Sequence, residues 1–329
     1  MNTATSALPI LRVFSQALSP RGCLFTFHRG ASANKWRSLP NRDFYLNLDF
    51  LEDLLIYLAA NGWDIVTLDE ATRRVEADGK LRKKFVNFSV DDCYRDTFEE
   101  VVPLFRKHSA PVTLFVTTGI PDATMGLWHV GLEDILVQKD VLILEEGALD
   151  ISTHELKRAA YLTISTRFDS PQADKFYTQI CALNGVDSAE IHDRHAISWE
   201  MLTKLKDDPL VEIGAHTVSH PHVAALSEHS ARNELVDCRK RLQEKLGLNV
   251  NHFAFPFGRA ADCGPRDFEL AREAGFVTAS TTVKGLLRRS DQLFHLPRNT
   301  LNGSHQNMAM VEAHLTGATA LAARVLGRV

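Results

Sequence analysis

Phe85-Val86-Asn87-Phe88-Ser89-Val90-Asp91-Asp92 decides how this chain is read, because six residues of strand character run directly into paired carboxylates. Aromatic and β-branched residues suit a pleated, buried surface, and two adjacent aspartates cannot continue it. Upstream, Cys23-Leu24-Phe25-Thr26-Phe27-His28 has the same character. Between the two, Phe50, Leu51, Leu54, Leu55, Leu58 and Ala59 fall at helical spacing and stop at Asn61-Gly62. Downstream the alternation continues. A helix is expected over Thr97 to His108, with Phe98, Val101, Val102 and Phe105 along one side, and a strand over Val112 to Thr118. Val211-Glu212-Ile213-Gly214 reads as a fourth strand ending at His216, followed by a helix from Ser230 to Leu246 closed by Gly247. Phe253 to Phe255, a helix from Asp267 to Ala274 and a strand from Phe276 to Thr281 complete the series. Strand and helix in alternation predict an α/β fold, a parallel sheet wrapped by helices.

Composition sets the boundaries. The 329 residues are 45% hydrophobic and 24% charged, as in a soluble globular protein of one large or two small domains. A formal charge of -4 argues against general nucleic-acid binding. The five cysteines are scattered with no CxxC pair, so free thiols are expected and no zinc ribbon. Residues 1–22 are expected to form a leader helix; Pro9 and Arg12 break its apolar run, making it a poor secretory signal but compatible with peripheral membrane association. A cytoplasmic location is therefore expected, with a periplasmic one as the alternative. The catalytic domain is assigned to residues 23–305, with an insertion over about 120–200, and a C-terminal helix to 306–329. Oligomeric state is not legible.

Two groups of residues can carry chemistry: Asp91-Asp92, and His216-Thr217-Val218-Ser219-His220, each just past a strand end. In an α/β barrel the C-terminal strand ends form the face on which ligands and catalysts sit. Two imidazoles and one carboxylate make a common set for a divalent metal with open positions. Each group also has a plain structural reading. Adjacent aspartates often cap the next helix, and with 14 histidines some fall four apart by chance. His192-Asp193-Arg194-His195 is one such case, read as a solvated loop. A third element, Phe253-Ala254-Phe255-Pro256-Phe257-Gly258, raises the first reading above the second.

With these elements the sequence resembles the NodB-homology polysaccharide deacetylases (carbohydrate esterase family 4), from about Gly22 to Gly303. Ser89-Val90-Asp91-Asp92 matches that family's T-F-D-D, His216 to His220 its H-[ST]-x-x-H, and Phe253 to Gly258 its F-x-[YF]-P-[YF]-G. Phe27-His28-Arg29 and Leu296-Pro297-Arg298 are similar to the Y-H-R start and the L-P-R end of one branch. The resemblance implies a distorted (β/α) barrel of the NodB-homology type, expected to hold seven strands, with a helical insertion. It implies that Asp92, His216 and His220 hold a divalent metal, Zn2+ first, with Co2+, Ni2+ or Fe2+ as alternatives. Asp91 would be the general base, and the backbone N–H of Phe257, after Pro256, would bind the oxyanion.

Departures from the pattern leave part of the site open. Cys93 stands where the family has Gly, and Phe253 where many members have the Arg that orients the base, which leaves Arg95 and Arg298 as candidates for that role or for substrate contact. The leaving-group acid has two candidates, His295 in Leu293-Phe294-His295 and His28 at the end of the first strand. The implied activity is removal of an N-acyl group, N-acetyl first, from an amino sugar in a polysaccharide, oligosaccharide or lipid-linked precursor. The same site acting on an O-acetyl ester or a non-sugar amide is the alternative, and a non-catalytic saccharide binder the last.

Overall fold

Strand parity organises the barrel. The computed structural model describes residues 21–77, 83–168, 170, 172–288 and 293–326; all but the last two residues of the expected leader lie outside the described residues. The main sheet contains β1 (Gly22–Phe27), β4 (Asp64–Ile65), β5 (Phe85–Val90), β6 (Val112–Val116), β9 (Val211–Ala215), β10 (His252–Ala254), β11 (Thr278–Ser280) and β12 (Asn299–Thr300). Seven of them follow the order β11-β10-β9-β6-β5-β1-β12, with β4 beside the start of β5, and every pairing is parallel. Two small sheets stand apart: β2 (Arg29–Ala31) with β3 (Tyr45–Asn47), and the hairpin of β7 (Val141–Leu144) and β8 (Gly147–Asp150). The expected barrel of seven strands is thus present.

Successive strand residues face opposite sides. Phe25, Phe27, Phe88, Val90, Leu114 and Val116 join the helices Leu48–Ala60 and Val102–Lys107 in the main core. The opposite parity points inward, where Leu24, Phe85, Phe115, Ala254 and Leu296 form a second cluster. Inward positions on β5 continue through Asn87 and Ser89 to Asp91, and on β9 through Gly214 to His216. Gly214 is required here, since a Cβ would lie 2.7 Å from the Phe115 ring and 2.9 Å from the His252 carbonyl oxygen.

The segment 293–300 closes the ring. Leu296 N donates to Ala279 O at 2.9 Å and Thr281 N to Leu296 O at 2.9 Å, while Asn299 and Thr300 pair with Phe25 and Thr26 of β1. One chain segment thus hydrogen-bonds to both free edges, which would otherwise expose unpaired backbone groups.

Between β6 and β9 lies the insertion, with its own core of Leu132, Ile135, Tyr161, Phe168, Phe176 and Ile180, among others. It contains the helices Trp128–Gln138 and Ala173–Leu183 and the β7–β8 hairpin, which is mostly exposed although Val141 to Leu144 are all apolar. His192 to His195 is not a solvated loop but the end of the helix Ser188–His195: His192 Nε2 lies 2.9 Å from Ile120 O, and His195 pairs with Asp134 at 3.0 Å. The expected helix from Thr97 begins as a π-helical turn, Thr97–Val101, before Val102–Lys107. The C-terminal stretch forms two helices, Met308–Thr316 and Ala318–Val325, separated at Gly317 with φ 80. None of the described helices is long and apolar enough to cross a membrane.

At the N-terminal ends of the strands, His252 Nε2 lies 3.0 Å from Asp69 Oδ1 and 3.4 Å from Glu212 Oε1, with Nδ1 2.8 Å from Thr278 Oγ1. Glu212 also accepts from the backbone N–H of Leu68 and Asp69, capping the helix Leu68–Glu76 where its dipole favours an anion. These three side chains lie close enough to share a cation, but hydrogen bonds already occupy them and make the cluster an ion triad. Burial, which lowers the pKa of His252, is outweighed by Asp69 and Glu212, so it rises to about 9. Stability from this histidine is therefore complete below its ordinary ~6.5 and is lost as pH climbs through the folded value. Thermal melts of the wild type are expected to fall between about pH 6.5 and 9, and His252→Gln to flatten that decline; an unchanged slope would show the charge contributes nothing.

Candidate metal centre and active site

The turn after β5 places two carboxylates in different environments. Asp91 keeps the inward parity of its strand, whereas Asp92 and Cys93 turn the chain with φ 65 and 66. Left-handed backbone at a non-glycine residue costs about 1–3 kcal/mol and persists where the surroundings enforce it. Cys93, in the position where the family carries Gly, adopts the conformation Gly favours, with its Sγ 3.5 Å from Phe115 O. Its thiol is buried, and burial followed by the charges of Asp92 and Asp91 pushes its pKa well up. All five cysteines are buried and free.

After β9 the second turn has Thr217 and His220 with φ 66 and 57. Glu234, from the helix Glu228–Leu246, grips this loop: Oε2 accepts from Val218 N and Ser219 N at 2.8 and 3.0 Å, and Oε1 from the Ser219 hydroxyl at 2.6 Å. Thr217 Oγ1 accepts from His220 N at 3.0 Å. These bonds hold the loop so that His220 Nε2 lies 3.2 Å and His216 Nε2 3.5 Å from the same oxygen, Asp92 Oδ1.

That oxygen is buried with no hydrogen-bond partner, an arrangement that costs free energy unless something shares it. The tetrahedron around zinc, with bonds of about 2.0–2.1 Å, has edges of ~3.3 Å, close to the separations here. His216 Nδ1 lies 2.8 Å from Ala254 O, which can only accept, so the proton sits on Nδ1 and the Nε2 lone pair faces Asp92. Burial lowers the pKa of His216 to about 4 and keeps it neutral, as a ligand must be. For His220 burial works the same way, but Asp92 outweighs it and the pKa rises. Burial would raise Asp92, yet His220 beside it holds it far below the usual carboxylate range. The donor set therefore fits a divalent cation.

Asp91 has a different partner. Arg298 donates to both its oxygens, at 2.6 and 2.9 Å, and also to Thr281 O, Thr26 Oγ1 and Ser89 Oγ at 3.0–3.1 Å. Both side chains are nearly inaccessible, 1% and 4% exposed. Burial acts to raise the pKa of Asp91, but the Arg298 guanidinium holds it below the ordinary value, so it is ionised. Arg298 thus sits where it orients the carboxylate and is not a substrate contact. Arg95 does neither: it donates to Asp193 O at 2.7 Å and pairs with Glu99 at 3.6 Å.

The cavity above these residues, about 420 Å³, is lined by Asp91, Asp92, His216, His220, Phe257 and His28, among others. His28 stacks on Phe44 with centroids 4.6 Å apart. His295 is not brought to it; it packs edge-on against Phe268 at 5.4 Å and lines a different cavity. Phe257 has φ 57, its carbonyl accepts from Thr282 Oγ1 at 2.6 Å, and its ring stacks on His222 at 3.7 Å, while Pro256 O accepts from Gly258 N at 2.6 Å. Sequence reasoning missed the remaining wall: Phe44, Tyr94, Met125, Trp128, His129 and Phe168. These positions carry no spacing signal, and tertiary folding alone brings them together.

The protein-family model described as polysaccharide deacetylase matches residues 78–278. A Bacillus subtilis (strain 168) chain, YxkH, whose name places it among the polysaccharide deacetylases, is 27% identical over 275 residues, covering 84% of this chain and 69% of its own. Among solved structures, the Streptococcus pyogenes deacetylase PplD in complex with acetate superposes with a TM-score of 0.60 at 16% identity, over 89% of this chain and 98% of that one. IcaB from Ammonifex degensii gives 0.58 at 18% identity, over 90% and 98%. At such identities the structural likeness is one of fold.

Two measurements probe the site. Glu234→Ala frees the 217–220 loop and should weaken zinc affinity by about 10-fold or more in a chelator-competition titration; wild-type affinity would show that the loop holds itself. Arg298→Met strands a buried carboxylate and should cost roughly 3–5 kcal/mol in denaturant unfolding.

Proposed function

The chain belongs to the polysaccharide deacetylase family, and from that premise we propose that it is a metal-dependent hydrolase removing an N-acyl group, N-acetyl first, from an amino sugar of a saccharide. The observation that carries the proposal is the orphaned Asp92 oxygen facing two imidazoles beside an ionised, arginine-held Asp91. Asp92, His216 and His220 are the residues that would hold the cation, with Zn2+ the first choice for this donor set. Bound there, it would lower the pKa of a coordinated water toward ~7 and polarise the acyl carbonyl.

The rest of the chemistry falls to the chain. Asp91 accepts the proton of the attacking water; each of its oxygens, though bonded to Arg298, retains a further lone pair. The N–H of Phe257, presented by a strained turn, serves the oxyanion, and a backbone donor needs no tyrosine ring to do so. His28 is the residue we assign to protonating the departing amine. It lines the cavity together with both aspartates.

The test is acetate release from N-acetylated mono- and oligosaccharides, with acetylxylan as the ester arm. Chelator should abolish activity and zinc or cobalt restore it; release that survives complete metal removal rules the mechanism out. Asp91→Asn should lower kcat by about 10²–10⁴ while metal content stays at the wild-type level.

A further inference from the structure

Resting on that reading, we infer that the insertion makes the cavity blind at one end, so that the enzyme acts on the N-acylated sugar at the terminus of a saccharide. The rest of the molecule leaves past Arg259 and Thr282. At about 420 Å³ the cavity is the size of a pocket for one small ligand. Its far wall is Met125, Trp128, His129 and Phe168, all from the insertion.

This wall is built to stay in place. Asp174 Oδ1 accepts from Trp128 Nε1 at 2.7 Å and from Gly126 N at 3.2 Å, fixing the indole at the head of its helix. Trp128 stacks on Phe168 with centroids 6.3 Å apart, and His129 meets the Phe168 ring edge-on at 5.4 Å. The insertion is tied to the barrel through Glu133, which is buried and accepts from Tyr45 OH at 2.5 Å and Asn41 N at 3.1 Å, and through Arg158 on Asp43 at 2.6 Å. Phe44, beside these anchors, completes an aromatic enclosure against which the C–H face of a pyranose packs.

On the opposite side the cavity continues. Arg259 and Thr282 also line a neighbouring space of about 570 Å³, bordered by Lys284 and by Thr319, Ala322 and Leu326 near the end of the chain. A sugar inside a polymer must leave the site in two directions, and one of them meets the Trp128–Phe168 wall. A terminal sugar needs only the open side.

The test uses zinc-loaded full-length protein and glucosamine tetrasaccharides carrying one N-acetyl group, at either end or at an internal unit. One end should be deacetylated with kcat/KM at least about tenfold above the internal positions. Trp128→Ala should narrow that ratio by raising internal turnover, whereas Trp128→Phe should preserve it. Ala322→Trp should raise KM for the tetrasaccharide more than for the N-acetylated monosaccharide. Equal wild-type rates at terminal and internal positions overturn this inference while leaving the deacetylase reading intact, whether or not the variants fold. Acetate from none of the substrates overturns the parent reading and this inference with it.

Discussion

The buried pair of Arg298 and Asp91 is where folding and chemistry meet. Arg298 lies on the segment that hydrogen-bonds to both edges of the sheet, and its guanidinium reaches the end of β5, one neighbour away across β1. A charge buried this deeply is tolerated only when its partner and hydrogen bonds are complete, and five donated bonds supply them here. Ring closure, ionisation of Asp91 and its orientation are thus one event. The second charged cluster, around His252, lies at the opposite ends of the strands and serves the helix that covers them.

Strain is distributed in the same way. Of the seven non-glycine residues with positive φ among the described residues, Asp92, Cys93, Thr217, His220 and Phe257 all belong to the three loops around the cavity. Each turn re-aims a side chain or a backbone N–H that strand parity alone would send elsewhere. Parity delivers Asp91 and His216 inward; the left-handed turns bring Asp92 and His220 to them. The neighbouring bonds from Glu234, Thr217 and Thr282 offset the cost of those turns.

This division explains what the sequence disclosed. Asp91, Asp92, His216 and His220 were legible because each lies within two residues of a strand end or one short turn beyond it, so local pattern and spacing place them. The strand order was legible only as a class, since alternation implies a parallel sheet without stating which edges meet. Arg298 stood as one of two candidates, because its pairing spans 207 positions and depends on ring closure. His295 misled for the complementary reason. It satisfied a three-letter pattern, but three residues later the chain turns Arg298 into the barrel, and His295 is left against Phe268. His192 to His195 looked like a charged loop because the apolar partner that makes it a helix, Ile191 packed in the insertion core, is a single residue.

The insertion was visible as an interruption, but its contribution to the cavity was not. Its helices are amphipathic about a private core, so the periodic residues report that core and say nothing of what faces the barrel. The residues that do face it, Met125, Trp128 and His129, occupy a loop and the first turn of a helix, where periodicity has not begun. Their position follows instead from isolated polar contacts, Asp174 on Trp128 and Glu133 on Tyr45, each a pairing over 46 or more residues. The acidic and histidine half of the cavity is therefore specified by local turns of the barrel and the aromatic half by long-range docking of the insertion. Loop and helix-start residues of the aromatic half can therefore vary without disturbing the strand ends that hold Asp91 and Asp92.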